Sequence, residues 1–219
     1  MQDDLFGDTL PKPPPAEAAA SAPASPIVPG TDAPTRRSLS GTVAPIAPDG
    51  ALTALAAALP PRLRLGTSSW TYPGWKGLVW EGEHSDTQLS KRGLAVYAQH
   101  PLMRTVSIDR SFYRPLTVSQ YERYASQVPD DFRFVVKAPS VVTDALVRSE
   151  DGRGRQPNPA FLSPELARSE CVEPALQGLG HKLGALVFQL SPLPLAQLDR
   201  MPALLDRLRA MLLALPPLA

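Results

Sequence analysis

The sequence predicts an α/β fold built on a parallel sheet, behind a disordered Pro/Ala-rich tail. Three observations predict it. From Leu63 onward, short runs rich in β-branched or aromatic residues alternate with stretches of helical periodicity. Residues 1–60 hold 11 of the 26 prolines and one of the 14 aromatics, Phe6. The strand-then-helix rhythm implies parallel pairing with right-handed crossovers. Two architectures satisfy that rhythm, an open doubly wound sheet and a β/α barrel. No Gly-x-Gly-x-x-Gly follows the first strand and no phosphate loop is present, so a nucleotide-binding sheet lacks its main sequence support.

The tail, 1–60, cannot bury enough apolar surface to offset the entropy of ordering it. Within it Ala51 to Leu59 can form a short helix, which Pro60 and Pro61 would stop. Residues 62–219 form the folded domain. Leu63 to Ser68 reads as the first strand, ending in a small-residue loop. Leu89 to His100 carries Leu89, Leu94, Val96 and Tyr97 at helical spacing. Thr105 to Asp109 is the second strand. Thr117 with Gln120 three residues on fits a capping box opening a helix to Gln127.

Phe132 to Lys137 is the third strand, ended by Pro139. A polar loop, Arg148 to Pro159, follows. Ser163-Pro164 suits the start of a third helix, which Pro174 would kink or split. Gly184 to Leu190 is a fourth strand, apolar enough to be buried on both faces. Arg200 to Leu215 is a fourth helix. A complete barrel needs about 250 residues for eight units, and residues 62–219 supply about four.

Composition narrows the function classes. The formal net charge is +1, so no global field recruits nucleic acid or an anionic membrane. Cys171 is the single cysteine, which excludes an internal disulfide and any multi-cysteine metal site; it reads as a small apolar helix residue. The start, Met1-Gln2-Asp3-Asp4, lacks the basic and apolar regions of a secretory signal, and a cytoplasmic location is expected. No cofactor motif is present.

Four blocks carry a family resemblance. Leu65 to Gly77 (LGTSSWTYPGWKG) is similar to a G-T-S-x-W-x-Y-x-x-W signature. Ser111-Phe112-Tyr113-Arg114 follows S-x-F-Y-R with a shortened spacer. Pro129 to Pro139 (PDDFRFVVKAP) follows P-x-x-F-x-F-x-x-K-x-P, and Leu179 to Leu190 (LGHKLGALVFQL) follows G-x-K-L-G-x-x-x-F-Q-L. Together they resemble the YecE-like bacterial family, domain of unknown function 72. The resemblance implies a TIM-type (β/α) barrel of which only about the first four β/α units, a half barrel, are present. It transfers no established activity. Two departures stand out: where the family's second strand carries V-E-I-N, this chain has Val106-Ser107-Ile108-Asp109, and the chain stops after the helix that follows F-Q-L, as in a C-terminally truncated member.

In such a barrel the C-terminal strand ends face the site. That selects Thr67, Ser68, Trp70 and Tyr72 after strand one, and Asp109, Tyr113 and Arg114 after strand two. It adds Lys137 after strand three and Gln189 at strand four. The mix suits a small polar or phosphorylated ligand, with Lys137 and Arg114 as charge partners and Trp70 and Tyr72 as walls. Lys137 and Asp109 are the catalytic candidates. A partly desolvated lysine there can act as a base or a Schiff-base nucleophile; its plainer role is an ion pair with Asp109 that closes the mouth. Trp70, Tyr72 and Trp75 serve equally as packing. His84, His100 and His181 fall in turns or at a helix end, and no His-x-His or Glu-x-x-His spacing supports a metal.

One tail peptide is sharper than its surroundings. Gln2-Asp3-Asp4-Leu5-Phe6 resembles the short peptides with which bacterial proteins dock on the replication sliding clamp. Leu5 and Phe6 would fill an apolar pocket and Gln2 would make polar contacts. The chain is thus expected to be either a small-molecule-binding barrel protein, enzyme or remnant of one, or a non-catalytic partner tethered to the clamp. With half a barrel, unpaired edges would favour dimerisation or poor solubility.

Overall fold

The computed structural model describes residues 42–147 and 156–217. Within them the elements run α1 (Gly50–Ala58), β1 (Leu65–Thr67), α2 (Asp86–Tyr97), β2 (Met103–Ile108), α3 (Arg110–Tyr113) and α4 (Val118–Ala125). They continue with β3 (Arg133–Lys137), α5 (Ser140–Thr143), β4 (Leu146–Val147), β5 (Gln156–Pro157), α6 (Pro164–Ala167) and α7 (Glu173–Leu179). The last are β6 (Leu183–Val187), α8 (Leu195–Leu198) and α9 (Met201–Ala214).

The main sheet has four strands in the order β1-β2-β3-β6, every neighbour parallel. Helices α2 and α4 lie in the first two crossovers, and α7 in the third. Side-chain alternation sorts the sheet into two faces. Val106, Ile108, Phe134 and Val136 are fully buried and share one core cluster with Leu89, Leu94 and Tyr97 of α2, Tyr121 of α4 and Ala175 and Leu179 of α7. Thr105, Ser107, Val135 and Lys137 alternate with them and are only partly covered. A second cluster gathers Val142, Ala145, Phe161, Leu162, Ala167, Leu204 and Met211, and seats α9 on α6.

Local chemistry sets the helix starts. Thr117 Oγ1 accepts from the Gln120 amide at 3.3 Å while Gln120 Oε1 accepts from the Thr117 amide at 2.9 Å, the reciprocal box expected there. Ser85 and Gln88 make the same box and start α2 three residues earlier than the apolar pattern does. Ser163 caps α6, with Pro164 in its first turn. Pro174 has no amide to donate, and the preceding turn, Arg168–Val172, widens into a π-helical segment in which Glu173 N–H reaches back to the Arg168 carbonyl. Cys171 is buried in that segment.

Three expectations need correction. Part of the segment assigned to the tail is ordered: Val43 is buried in the main core, Ile46 N–H donates to the Val79 carbonyl at 3.2 Å, and Glu81 N–H donates to the Ala44 carbonyl at 2.9 Å. These residues cover Trp80, which is fully buried. The apolar fourth strand is not buried on both faces, because it is an edge strand: Leu183 is buried, while Gly184 and Val187 are exposed. It ends at Val187, so Gln189 lies beyond it on irregular, exposed backbone. The polar loop is flanked by a short antiparallel pair, Leu146 with Pro157 and Val147 with Gln156, that no local pattern announces. Residues 1–41 of the tail and Arg153 and Arg155 of the loop lie outside the described residues.

Candidate functional site

The site grows from the carboxyl ends of β1, β2 and β3. Because Ser107 pairs with Val135 and Ile108 with Val136 in parallel register, Asp109 and Lys137 leave their strands side by side. Lys137 Nζ donates to Asp109 Oδ2 at 2.9 Å, and both side chains are about one-third exposed or less, at 28% and 32%. Ser107 Oγ donates to the other oxygen, Oδ1. A Ser–Asp–Lys chain thus crosses two strands. One of the three Lys137 N–H donors is committed to Asp109, which leaves two for an incoming oxygen.

Ser111 holds the two strand ends together. It is buried, and its hydroxyl proton is shared between the Ile108 carbonyl at 2.6 Å and the Lys137 carbonyl at 2.7 Å. The first strand is tied in from the helix side. Tyr97 Oη donates to the Thr105 carbonyl at 3.0 Å and accepts from the Thr67 amide at 3.0 Å, with Thr67 Oγ1 at 2.9 Å. Burial pushes the Tyr97 phenol up, and its hydrogen bonds with Thr67 pull it part of the way back. Beyond Thr67, Ser69 Oγ accepts from the Thr71 amide at 3.1 Å and so fixes the loop over the strand end.

A cleft of about 330 Å³ opens beside this chain. Ser68, Ser69, Trp70 and Thr71 line one side, Ser107 and Asp109 the other, and Tyr124 reaches in from α4. Trp70 is 7% exposed and meets Tyr124 edge to face at 5.2 Å between ring centroids. The indole N–H of Trp70 is buried with no hydrogen-bond partner among the described residues. Among those residues, no three His, Cys, Asp or Glu side chains are grouped to hold a metal ion, and no helix is long and apolar enough to cross a membrane.

The structure therefore brings Ser68, Trp70 and Asp109 together on the cleft wall, while Lys137, which does not line the cleft, joins them through its ion pair with Asp109, and Thr67 lies behind them in the Tyr97 network. It does not bring in the others. Tyr72 is 59% exposed and stacks edge to face on Trp75 at 5.7 Å, and Tyr113 is 82% exposed against Phe112. Arg114 and Gln189 are exposed and line none of the described clefts. Gln2, Leu5 and Phe6 fall outside the described residues. Sequence reasoning missed Ser107 as a hydrogen-bonding member, Ser111 as the tie, and Tyr97, Arg110 and Tyr124. Ser107 was legible from its position two residues before Asp109 on the same strand face. Tyr97 and Tyr124 reach the site through the tertiary packing of α2 and α4.

A family model described as "Protein of unknown function DUF72" matches residues 64–218. Two crystal structures of a DUF72 family protein from Enterococcus faecalis V583 are similar to the chain. One is 19% identical, covering 66% of this chain and 46% of that one, with a TM-score of 0.40. The other is 20% identical, covering 52% and 43%, with a TM-score of 0.32. The chain thus spans less than half the length of these relatives. No curated protein matches it.

Proposed function

The chain belongs to the DUF72 family of proteins of unknown function, and from that membership we propose that it supplies the first four β/α units of a TIM-type barrel that binds a small polar, anionic molecule at the strand carboxyl ends. The four parallel strands with helices against one face support the half-barrel reading. The observation that carries the ligand reading is the convergence of Asp109 and Lys137 from neighbouring strands beside an open cleft lined by the hydroxyl residues Ser68, Ser69, Thr71 and Ser107. Opposite charges placed together at a cleft orient a ligand that has both donors and acceptors.

On this reading Asp109 accepts from ligand hydroxyl or amino groups. Lys137 donates its free N–H groups to a ligand oxygen, and Trp70 and Tyr124 form the apolar wall. An ammonium held on a carboxylate serves here as a charge partner. The test is a thermal-shift screen of sugars, sugar phosphates and carboxylic acids against the full chain, repeated on Lys137→Ala. A hit lost in the variant supports the assignment, and a hit that Lys137→Ala leaves unchanged removes Lys137 from the site.

A second reading rests on the N-terminal peptide Gln2 to Phe6, whose Leu5-Phe6 pair on an acidic segment suits an apolar docking pocket. Fluorescence anisotropy of a peptide covering that segment against a bacterial sliding clamp tests it. Absence of binding at high micromolar concentration ends it.

A further inference from the structure

A second groove of about 410 Å³ runs outward from the strand-end cleft, between α2 and α4. It is positively charged. Lys91 of α2, Arg110 of α3 and Arg123 of α4 line it, together with Gln120 and Gln127, and among the described residues no Asp or Glu does. Among the described residues these three cations make no ion pair or side-chain hydrogen bond. Lys76, Arg104, Lys137, Arg168 and Lys182, by contrast, are each paired with a carboxylate. The groove and the cleft share Ser90, Arg110 and Tyr124 as walls, so one molecule can occupy both. Asp109, its charge balanced by Lys137, therefore sets acceptor oxygens at the inner end, and Arg110, next in the chain, sets a positive charge toward the outer end.

That polarity selects a ligand with hydroxyl donors at one end and an anion at the other. We propose that the Lys91–Arg110–Arg123 groove binds the phosphate of a sugar phosphate whose hydroxyls face Asp109 and Ser107. The inference deepens the strand-end reading above and rests on it for the sugar end only. Three unpaired cations with two amide side chains match a phosphate's charge and its ring of acceptor oxygens. Each cavity is of a size that holds part of a small ligand.

The experiment is calorimetric titration of the full chain with ribose 5-phosphate, ribose and inorganic phosphate. The variants are Lys91→Gln/Arg123→Gln and Asp109→Asn; Lys91 and Arg123 are exposed, so their replacement spares the core. Ribose 5-phosphate is expected to bind saturably, to be displaced by inorganic phosphate, and to weaken as salt rises. The double variant should weaken ribose 5-phosphate and phosphate alike by about tenfold or more, since each lost charge-assisted contact is worth about that factor. Asp109→Asn should weaken ribose 5-phosphate and leave phosphate unchanged.

If the double variant binds both as the parent does, or if neither binds saturably below ~10 mM, the inference is overturned. If only Asp109→Asn is without effect, the phosphate groove stands and the strand-end reading fails. Two further arms separate the sources of phosphate. Pelleting with phosphatidic acid vesicles that ribose 5-phosphate cannot reverse, or tighter binding to a short thymidine oligonucleotide than to ribose 5-phosphate, would each overturn the soluble ester.

Discussion

Lys182 Nζ donates to the Val128 carbonyl at 2.8 Å, across the gap between the start of β6 and the chain leaving α4. The same ammonium donates to the Ala125 carbonyl at 2.9 Å and lies 3.3 Å from Asp130 Oδ1. Lys182 is 9% exposed, so its charge is placed where a helix leaves carbonyls unsatisfied. Two lysines of the family-like blocks thus do different work: Lys182 closes a helix end, and Lys137 pairs with Asp109 of the cleft wall.

Lys182→Met is therefore expected to destabilise the fold without touching the cleft. Two carbonyls lose a charged donor in a nearly buried setting, at a cost of about 1–3 kcal/mol. Urea denaturation should show a lower midpoint with an unchanged slope. An unchanged midpoint would mean that water replaces the ammonium at no cost.

Asp109→Asn and Lys137→Ala should behave in the opposite way. The pair is partly exposed, so losing it costs about 1 kcal/mol of stability at most. Binding of a strand-end ligand should fall by a factor of about ten or more, as for a lost charge-assisted hydrogen bond. Denaturation and ligand titration of the same two variants separate the effects. A large stability loss with intact binding would make the pair purely structural.

Gly178 is required by close helix packing. A Cβ there would stand 2.4 Å from Tyr121 Cβ and 2.6 Å from the Val118 carbonyl oxygen, so α7 and α4 could not keep their separation. Gly178→Ala should cost about 1–3 kcal/mol through forced backbone shifts, read as a lower melting temperature. Retention of the parent melting temperature would show that the two helices move apart freely.

Cys171 should be inert in the folded chain. Burial pushes its thiol up to about 12 from an ordinary 9.0. Iodoacetamide is expected to label it slowly at mildly alkaline pH and rapidly in urea. The sign of the linkage follows: above pH 9.0 the unfolded chain ionises this thiol and the folded chain does not, so this group lowers stability as pH rises from 9.0 toward 12. Rapid labelling of the native chain would contradict its burial.

What was legible in the sequence lies within a few residues along the chain. The Thr117–Gln120 box, the Ser163-Pro164 start and the disruption before Pro174 all depend on partners three to five positions away. The Ser85–Gln88 box carries the same signature ahead of the apolar pattern, which begins only at Leu89. The alternation of strands and helices, and with it the parallel sheet, followed from composition and periodicity because those patterns report which faces must be buried.

By itself the sequence determined the alternation of the four main strands with helices, the parallel sheet, and the placing of Asp109 and Lys137 at strand ends. Tertiary structure decided which candidates meet. Register sets Ser107, Asp109 and Lys137 in one chain and leaves Tyr113, Arg114 and Gln189 outside it. Helix packing, not local pattern, brings Tyr124 to the cleft, and edge position exposes an apolar strand that would otherwise be covered. The physical reason is that propensity and capping act between near neighbours, whereas a site is made of contacts between residues 20 or more positions apart, such as Lys137 with Asp109 at a separation of 28.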